Sequence, residues 1–268
     1  MSSSSWWQSE QWFVGLVLQL CCLVGTMAVL PYACRLQNIS LTPKLVALTA
    51  LNTFIIWPVV LGLSLYFLHP SLQHVTPVLV QAYHSTAASA LASHRDELLT
   101  AAAVGCIVGA VILTFDPLLK LLLSLPDWPA ERSPNAWQGL LASLYGATVE
   151  EILFRLFFHS LLTSTLSHLT PLSHSTAFGV AAALSAVGFG LGHVPAARKA
   201  LEGSEQQLGW AGVLRVLLLN CVASIPFAVA FDWWGLEAAM AAHGAADIVL
   251  HVIAPLLVRT EGGAEKQD

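Results

Sequence analysis

Charge is what this sequence has least of. Asp, Glu, Lys and Arg make up 10% of its 268 residues, where a soluble domain carries about 25%. So few charges cannot cover a globular surface, which excludes an ordinary soluble fold. Disorder is excluded by the same shortage, since high charge and low hydrophobicity are what keep a chain unfolded. Lys and Arg total 11, the net charge is −5 and no basic cluster occurs, so no nucleic-acid partner is expected. Cysteine is scarce too. Cys21, Cys22, Cys34, Cys106 and Cys221 are odd in number, lie in or beside apolar runs and form no CxxC. They read as small hydrophobes, not as a disulfide frame or a zinc site. The start, Met-Ser-Ser-Ser-Ser-Trp-Trp, lacks the positive n-region of a signal peptide. No lipidation signature and no fixed-period repeat is found.

What the chain does have is apolar length: 56% of it is hydrophobic. A spanning helix takes about 20 apolar residues. Seven candidates follow: Trp12 to Cys34, Leu45 to Leu68, Leu98 to Phe115, one within Trp137 to Leu166, Ala177 to His193, Gly212 to Phe231 and Leu236 to Val258. The fold class is therefore all-α, a polytopic membrane helix bundle of about seven transmembrane helices, with six to eight as the range. The third span is followed by Asp116-Pro117 and the apolar run Leu118 to Leu125, so it either continues past a proline kink or dips into the interface. His69 to Glu97 is a polar connection with room for a short interfacial helix, and Trp128, Pro129 and Pro134 mark another. Three regions result: an accessory N-terminal region over 1–135, a motif-bearing bundle over 136–258 and a polar tail over 259–268.

Basic residues orient the bundle. With the N-terminus outside, Arg35, Lys44, Lys120, Arg132, Arg198, Lys199, Arg215, Arg259 and Lys266 fall on the inner side, and Arg95 alone on the outer. This positive-inside bias predicts an outside N-terminus and a cytoplasmic C-terminus.

Against that apolar background, three spans carry polar stripes. The fourth contains Glu150, Glu151 and Arg155. A charge at a helix centre costs roughly 2.5–3.5 kcal/mol. Glu151 and Arg155, four apart, can pair. Glu150 is turned about 100° away and has no such partner on its own helix. The fifth span ends Phe189-xxx-His193 with Gly188, Gly190 and Gly192 around it, and Pro195 biases the chain to leave the helix there. The seventh carries His243, Asp247 and His251 at i, i+4 and i+8. Each stripe has an ordinary reading: a structural ion pair, an interfacial histidine, a His–Asp contact within one helix. Facing the three stripes inward hides every costly group at once. It also gathers carboxylates, imidazoles and a guanidinium, the composition of a general acid/base site. Register places the common volume in the inner half of the membrane, open to the cytoplasm, with His243 about 10 Å from the outer end of its span.

Glu150-Glu151-xxx-Arg155, Phe189-xxx-His193 and His243-xxx-Asp247, in that order on successive membrane helices, resemble the CPBP family of intramembrane endopeptidases. That family comprises the CAAX-prenyl endopeptidases of the Ras-converting type and the bacteriocin-processing and self-immunity homologues. Trp234-Gly235-Leu236 looks like the family's turn ahead of the third motif helix. Two departures stand out: Leu156 follows the motif Arg where many members have Gly, and Asp247 replaces the usual Asn. An ionised carboxylate cannot donate to an oxyanion as an amide can.

The resemblance implies hydrolysis of a peptide bond in a membrane-bound protein or peptide, including a CaaX-type prenylated one. Glu150 and His193 would hold and deprotonate a water. His243 with Asp247 would stabilise the oxyanion or orient the group that does. Arg155 would pair with Glu151, and Phe189 would shape the cavity wall. No cofactor is favoured; zinc held by Glu150, His193 and His243 is the alternative. Other intramembrane protease classes lack their signatures here, since there is no HExxH, no GxGD and no Gly-x-Ser-Gly. The rival readings are a non-catalytic scaffold or immunity protein on the same fold and a proton-coupled carrier. Gly105 and Gly109 form a GxxxG, a hint of helix dimerisation; the oligomeric state is otherwise open.

Overall fold

The computed structural model describes residues 4–68, 72–126, 135–202 and 207–257, and all regular structure among them is helical. Trp128, Pro129, Arg132, Pro134, Arg259, Lys266 and the expected tail over 259–268 lie outside the described residues.

Helix α1 runs Ser4–Gln37 and α2 Pro43–Leu68. Asn38 ends α1 in the left-handed region (φ 53°), and the Ile39 N–H closes back onto the Cys34 carbonyl at 2.9 Å. Asn tolerates that conformation, and the bond satisfies a carbonyl the helix end would leave open. The polar connection that follows holds three short helices: α3 (Leu72–Val75), α4 (Pro77–His84) and α5 (Ala87–Ser93). They close one end of the bundle. Leu72, Val75 and Val80 are buried in one core with Val14, Leu18, Leu65, Ile152, Leu156, Phe231 and Leu236.

Helix α6 spans Arg95–Leu122 and carries Pro117 within it. Of the two sequence expectations for this span, continuation is the outcome. Asp96 and Glu97 in its first turn and Lys120 in its last complement the helix dipole. The Gly105 and Gly109 pair is used inside the chain. A Cβ on Gly105 would overlap the backbone of Ala242, and one on Gly109 would stand 2.9 Å from the Ala246 carbonyl. These glycines let α6 and α11 approach closely, so the GxxxG stripe faces a neighbouring helix of the same molecule and is not a free dimerisation face.

The fourth rod is continuous from Ala136 to Leu169: α7 (Ala136–Tyr145), two π-helical stretches (Gly146–Glu150 and Ile152–His159) and α8 (Ser160–Leu169). Asn135 opens it with a capping box to Gln138. Wider π turns are uncommon and mark places where a helix bends its register to serve a site. Here they bracket Glu151.

Helix α9 spans His174–Leu201, starting from Ser173, whose hydroxyl accepts the Thr176 N–H at 3.2 Å. It does not end at Pro195, contrary to the sequence expectation. A proline removes one helical donor, and here burial offsets that loss: Val194 and Ala197 beyond the glycines pack with Val216 in a separate core. Helix α10 (Trp210–Trp234) and α11 (Leu236–Ile248) meet at Gly235. Its φ of +86° and the nearness of a would-be Cβ to Pro77 and the His74 carbonyl leave room for glycine only. A further π stretch, Val249–Ile253, continues α11.

Six helices are long and apolar enough to cross a membrane: Ser9–Gln37, Pro43–Tyr66, Arg95–Leu122, His174–Leu201, Trp210–Trp234 and Leu236–Leu257. The π-interrupted fourth rod adds a seventh helical element of comparable length. The protein is an all-α, multi-pass integral membrane bundle.

Candidate active site

The three polar stripes meet. Glu150 closes the first π stretch of the fourth rod and turns its carboxylate between two imidazoles. Oε1 lies 3.9 Å from His193 Nε2 on α9, and Oε2 lies 3.9 Å from His243 Nε2 on α11. Its side chain is 19% exposed. Neither separation is a direct hydrogen bond. A water set off the line between either pair could contact both groups.

Each imidazole is fixed at its other nitrogen. His193 Nδ1 lies 2.8 Å from the Phe189 carbonyl. A carbonyl only accepts, so Nδ1 carries the proton and Nε2 presents a lone pair toward Glu150. His243 Nδ1 lies 2.8 Å from Glu151 Oε1. Glu151 is also ion-paired with Arg155 at 3.2 Å, and both side chains are 0% exposed. Glu151 is thus a carboxylate accepting the His243 Nδ1–H, which leaves His243 Nε2 facing the cavity.

Asp247 lies beside His243 on the same helix, as its spacing predicted. Its Oδ2 is 3.6 Å from His243 Nε2 and its Oδ1 is 3.8 Å from His251 Nε2. The hydrogen-bonded carboxylate partner of His243 is therefore Glu151 on a neighbouring helix. The intrahelical His243–Asp247 contact could be read from the sequence because their spacing is visible along one helix. Glu151 lies 92 positions away in the chain, and only packing brings it near.

Aromatic rings set the imidazole planes. Phe189 packs 4.6 Å from His193 and edge-on to His243 at 5.8 Å, with Phe154 edge-on behind it at 5.1 Å. The Arg155 guanidinium stands 5.8 Å over the Phe189 ring. Phe227 on α10 stacks on His243, centroids 4.8 Å apart and planes 19° from parallel.

Several residues of this arrangement escaped the sequence reading. Phe227 carried no signal in an apolar helix. Ser224 was equally inconspicuous. Ser185 extends the Phe189–His193 spacing by one more turn, which is a signal in hindsight. Arg155 donates to Ser224 Oγ at 2.9 Å, to the Ser224 carbonyl at 3.1 Å and to Ser185 Oγ at 3.4 Å. Gly146 was also missed. A Cβ there would stand 2.7 Å from Asp247 Oδ2 and 2.9 Å from His243 Nε2, so only a glycine lets the fourth rod lie this close to the stripe on α11.

Glu150, His193, His243 and Asp247 line a cavity of about 920 Å³. Glu150 and the buried Phe189, Phe227 and His243 line it, together with Gln37 and Lys199 near the C-termini of α1 and α9. Val29, Leu30, Ala33 and Leu36 of α1 form an apolar wall. Among the described residues, no three His, Cys, Asp or Glu side chains are disposed as a metal-binding set. Zinc held by Glu150, His193 and His243 stays the alternative to a water activated by side chains alone, and no step below is routed through a metal.

The all-helical membrane bundle thus gathers Glu150, Glu151, Arg155, His193 and His243 from three helices beside one cavity. Residues 132–249 match the family model described as type II CAAX prenyl endopeptidase Rce1-like, and this match supports the resemblance to the CPBP/CAAX protease family. That family is one of endopeptidases. No curated protein and no solved structure matches the chain.

Proposed function

We propose that the protein is an intramembrane endopeptidase that hydrolyses a peptide bond with a water activated by Glu150 and His193. The observation that carries this reading is the placement of the two Glu150 oxygens 3.9 Å from two histidines of other helices, all three residues lining one cavity. Each histidine is held at its far nitrogen, which is the preorganisation acid–base chemistry needs.

In this mechanism Glu150 takes a proton from the water as its oxygen attacks the scissile carbonyl carbon, and His193 Nε2 accepts a hydrogen bond from the same water. The carbonyl oxygen becomes an oxyanion. His243 in its imidazolium form, anchored at Nδ1 by Glu151, donates from Nε2 to that oxyanion. The C–N bond then breaks, and the proton on Glu150 passes to the departing amine. Asp247 balances the charge of His243 and does not donate to the oxyanion. Arg155 holds Glu151 in register.

The substrate is a membrane-associated protein or peptide. The family description names CaaX prenyl substrates, and the apolar α1 wall suits a lipidated or apolar chain lying against it. The N-terminus is outside and the cavity opens to the cytoplasm. The positive-inside bias supports this orientation, with Arg35, Lys120 and Lys199 in the last turns of α1, α6 and α9.

The test is hydrolysis of a prenylated CaaX peptide by the purified protein in proteoliposomes, read by mass spectrometry. Cleavage is expected with wild type and absent in Glu150→Ala and His193→Ala, both inserted at wild-type levels. Equal cleavage by those variants, or none by wild type on prenylated and unprenylated membrane peptides alike, would sink the reading in favour of a scaffold.

A further inference from the structure

Helix α10 carries none of the three motifs, yet it touches the His243 system at two points. From one side, Ser224 receives Arg155 through both its hydroxyl (2.9 Å) and its carbonyl (3.1 Å). Arg155 then pairs with Glu151 at 3.2 Å, and Glu151 accepts from His243 Nδ1 at 2.8 Å. Ser224, Arg155 and Glu151 are all fully buried. From the other side, Phe227 lies one turn further along α10 and stacks directly on the His243 ring.

We propose that Ser224 and Phe227 are positioning residues for the reaction, which together fix the plane and the direction of the His243 ring. The inference rests on the proteolytic reading for its kinetic consequence. The physical reason lies in the degrees of freedom of an imidazole, which has two soft torsions. A bond at Nδ1 alone leaves rotation about the axis through that bond, and a ring stacked on one face alone allows sliding within the plane. The two constraints are orthogonal. Together they aim Nε2 at one point, 3.9 Å from Glu150 Oε2.

The Nδ1 constraint is only as stiff as Glu151. A carboxylate with Arg155 at one oxygen is steady only if the guanidinium is steady. Arg155 is a long side chain with several free torsions. Its end is pinned by Ser224 on α10 and, at a longer 3.4 Å, by Ser185 on α9. Removing the Ser224 hydroxyl leaves the charges in place and loosens their geometry. Buried, charge-assisted bonds of this kind are the ones that transmit orientation.

The experiment compares Ser224→Ala with Ser224→Thr, and Phe227→Leu with Phe227→Tyr, in proteoliposomes. It follows hydrolysis of the prenylated peptide and the ¹⁵N signal of the His243 Nδ1–H in histidine-labelled protein. Ser224→Ala and Phe227→Leu are expected to lower kcat about tenfold with KM held within about twofold. Ser224→Thr and Phe227→Tyr, which keep the hydroxyl and the stacked ring, are expected to stay near wild type. The Nδ1–H signal is expected to shift or broaden in the first pair only. Wild-type kcat in both loosened variants overturns the proposal. So does a loss confined to the yield of folded protein, or an unmoved His243 signal. Should Ser224→Ala fail to insert, the Phe227 pair decides. If wild type cleaves no peptide, the proteolytic reading fails, and the His243 signal still decides the positioning role separately.

Discussion

The carboxylate of Glu151 and the imidazole of His243 are joined at 2.8 Å across two helices, and this pairing divides the labour between the adjacent glutamates. Glu151 faces inward, fully buried against Arg155, whereas Glu150 faces the cavity. Neighbours in sequence thus meet different surroundings, because a helical turn of about 100° separates their side chains.

Two substitutions should separate these roles. Glu150→Gln should lower turnover by about 10²–10⁴-fold, the scale of a lost general base, with little change in thermal unfolding in detergent. Glu151→Ala should lose about 3–5 kcal/mol of stability, because it strands the buried Arg155 charge. A Glu151→Ala protein as heat-resistant as wild type would contradict the buried ion pair.

Gly146→Ala tests the close approach at the site. Its methyl would stand 2.7 Å from Asp247 Oδ2 and 2.9 Å from His243 Nε2. Something must move, at a cost of about 1–3 kcal/mol. Turnover should fall by more than the stability change explains, since the atom displaced is the one facing the cavity. Unchanged kcat in a folded Gly146→Ala protein would speak against His243 Nε2 as a reacting group.

At the α6–α11 contact, Gly105→Ala should lower the unfolding temperature without altering the molecular mass measured in detergent. The added Cβ would overlap the Ala242 backbone, at a cost of about 1–3 kcal/mol or more. A change of oligomeric state at constant stability would return the GxxxG stripe to an intermolecular role.

Metal removal is a further check. Prolonged dialysis against a chelator should leave hydrolysis at its starting rate, because each proposed proton transfer uses a side chain of the protein. Lasting inactivation that zinc reverses would replace the glutamate-activated water with a metal-bound one.

Orientation is open to labelling. A cysteine at Ala196, which lines the cavity beside His193, should react with a membrane-impermeant thiol reagent from the cytoplasmic side only, once exposed Cys106 is replaced. Reaction from the outside would invert the topology.

Much of this was legible along the chain. Low charge and long apolar runs dictate a membrane bundle, since lipid leaves the backbone no partner but its own helix. The stripes at turn spacing pointed to Glu150, His193 and His243 because a charge in lipid is expensive enough to need a reason. Pro195 misled, since its one lost hydrogen bond weighs less than the burial of Val194 and Ala197. The Gly105 and Gly109 pair also misled, because a small-residue stripe says that something approaches closely and not whether it is the same molecule.

The sequence by itself determined the solvent, the class of fold and the identity of the polar groups, because each of these follows from local composition and helical periodicity. Tertiary structure alone decided that Glu151 rather than Asp247 holds His243, that Ser224 anchors Arg155 and that Phe227 covers the imidazole. Those partners lie on separate helices, and their distances depend on how close two rods can pack, which glycines such as Gly146 and Gly105 set and no pattern along a single helix records.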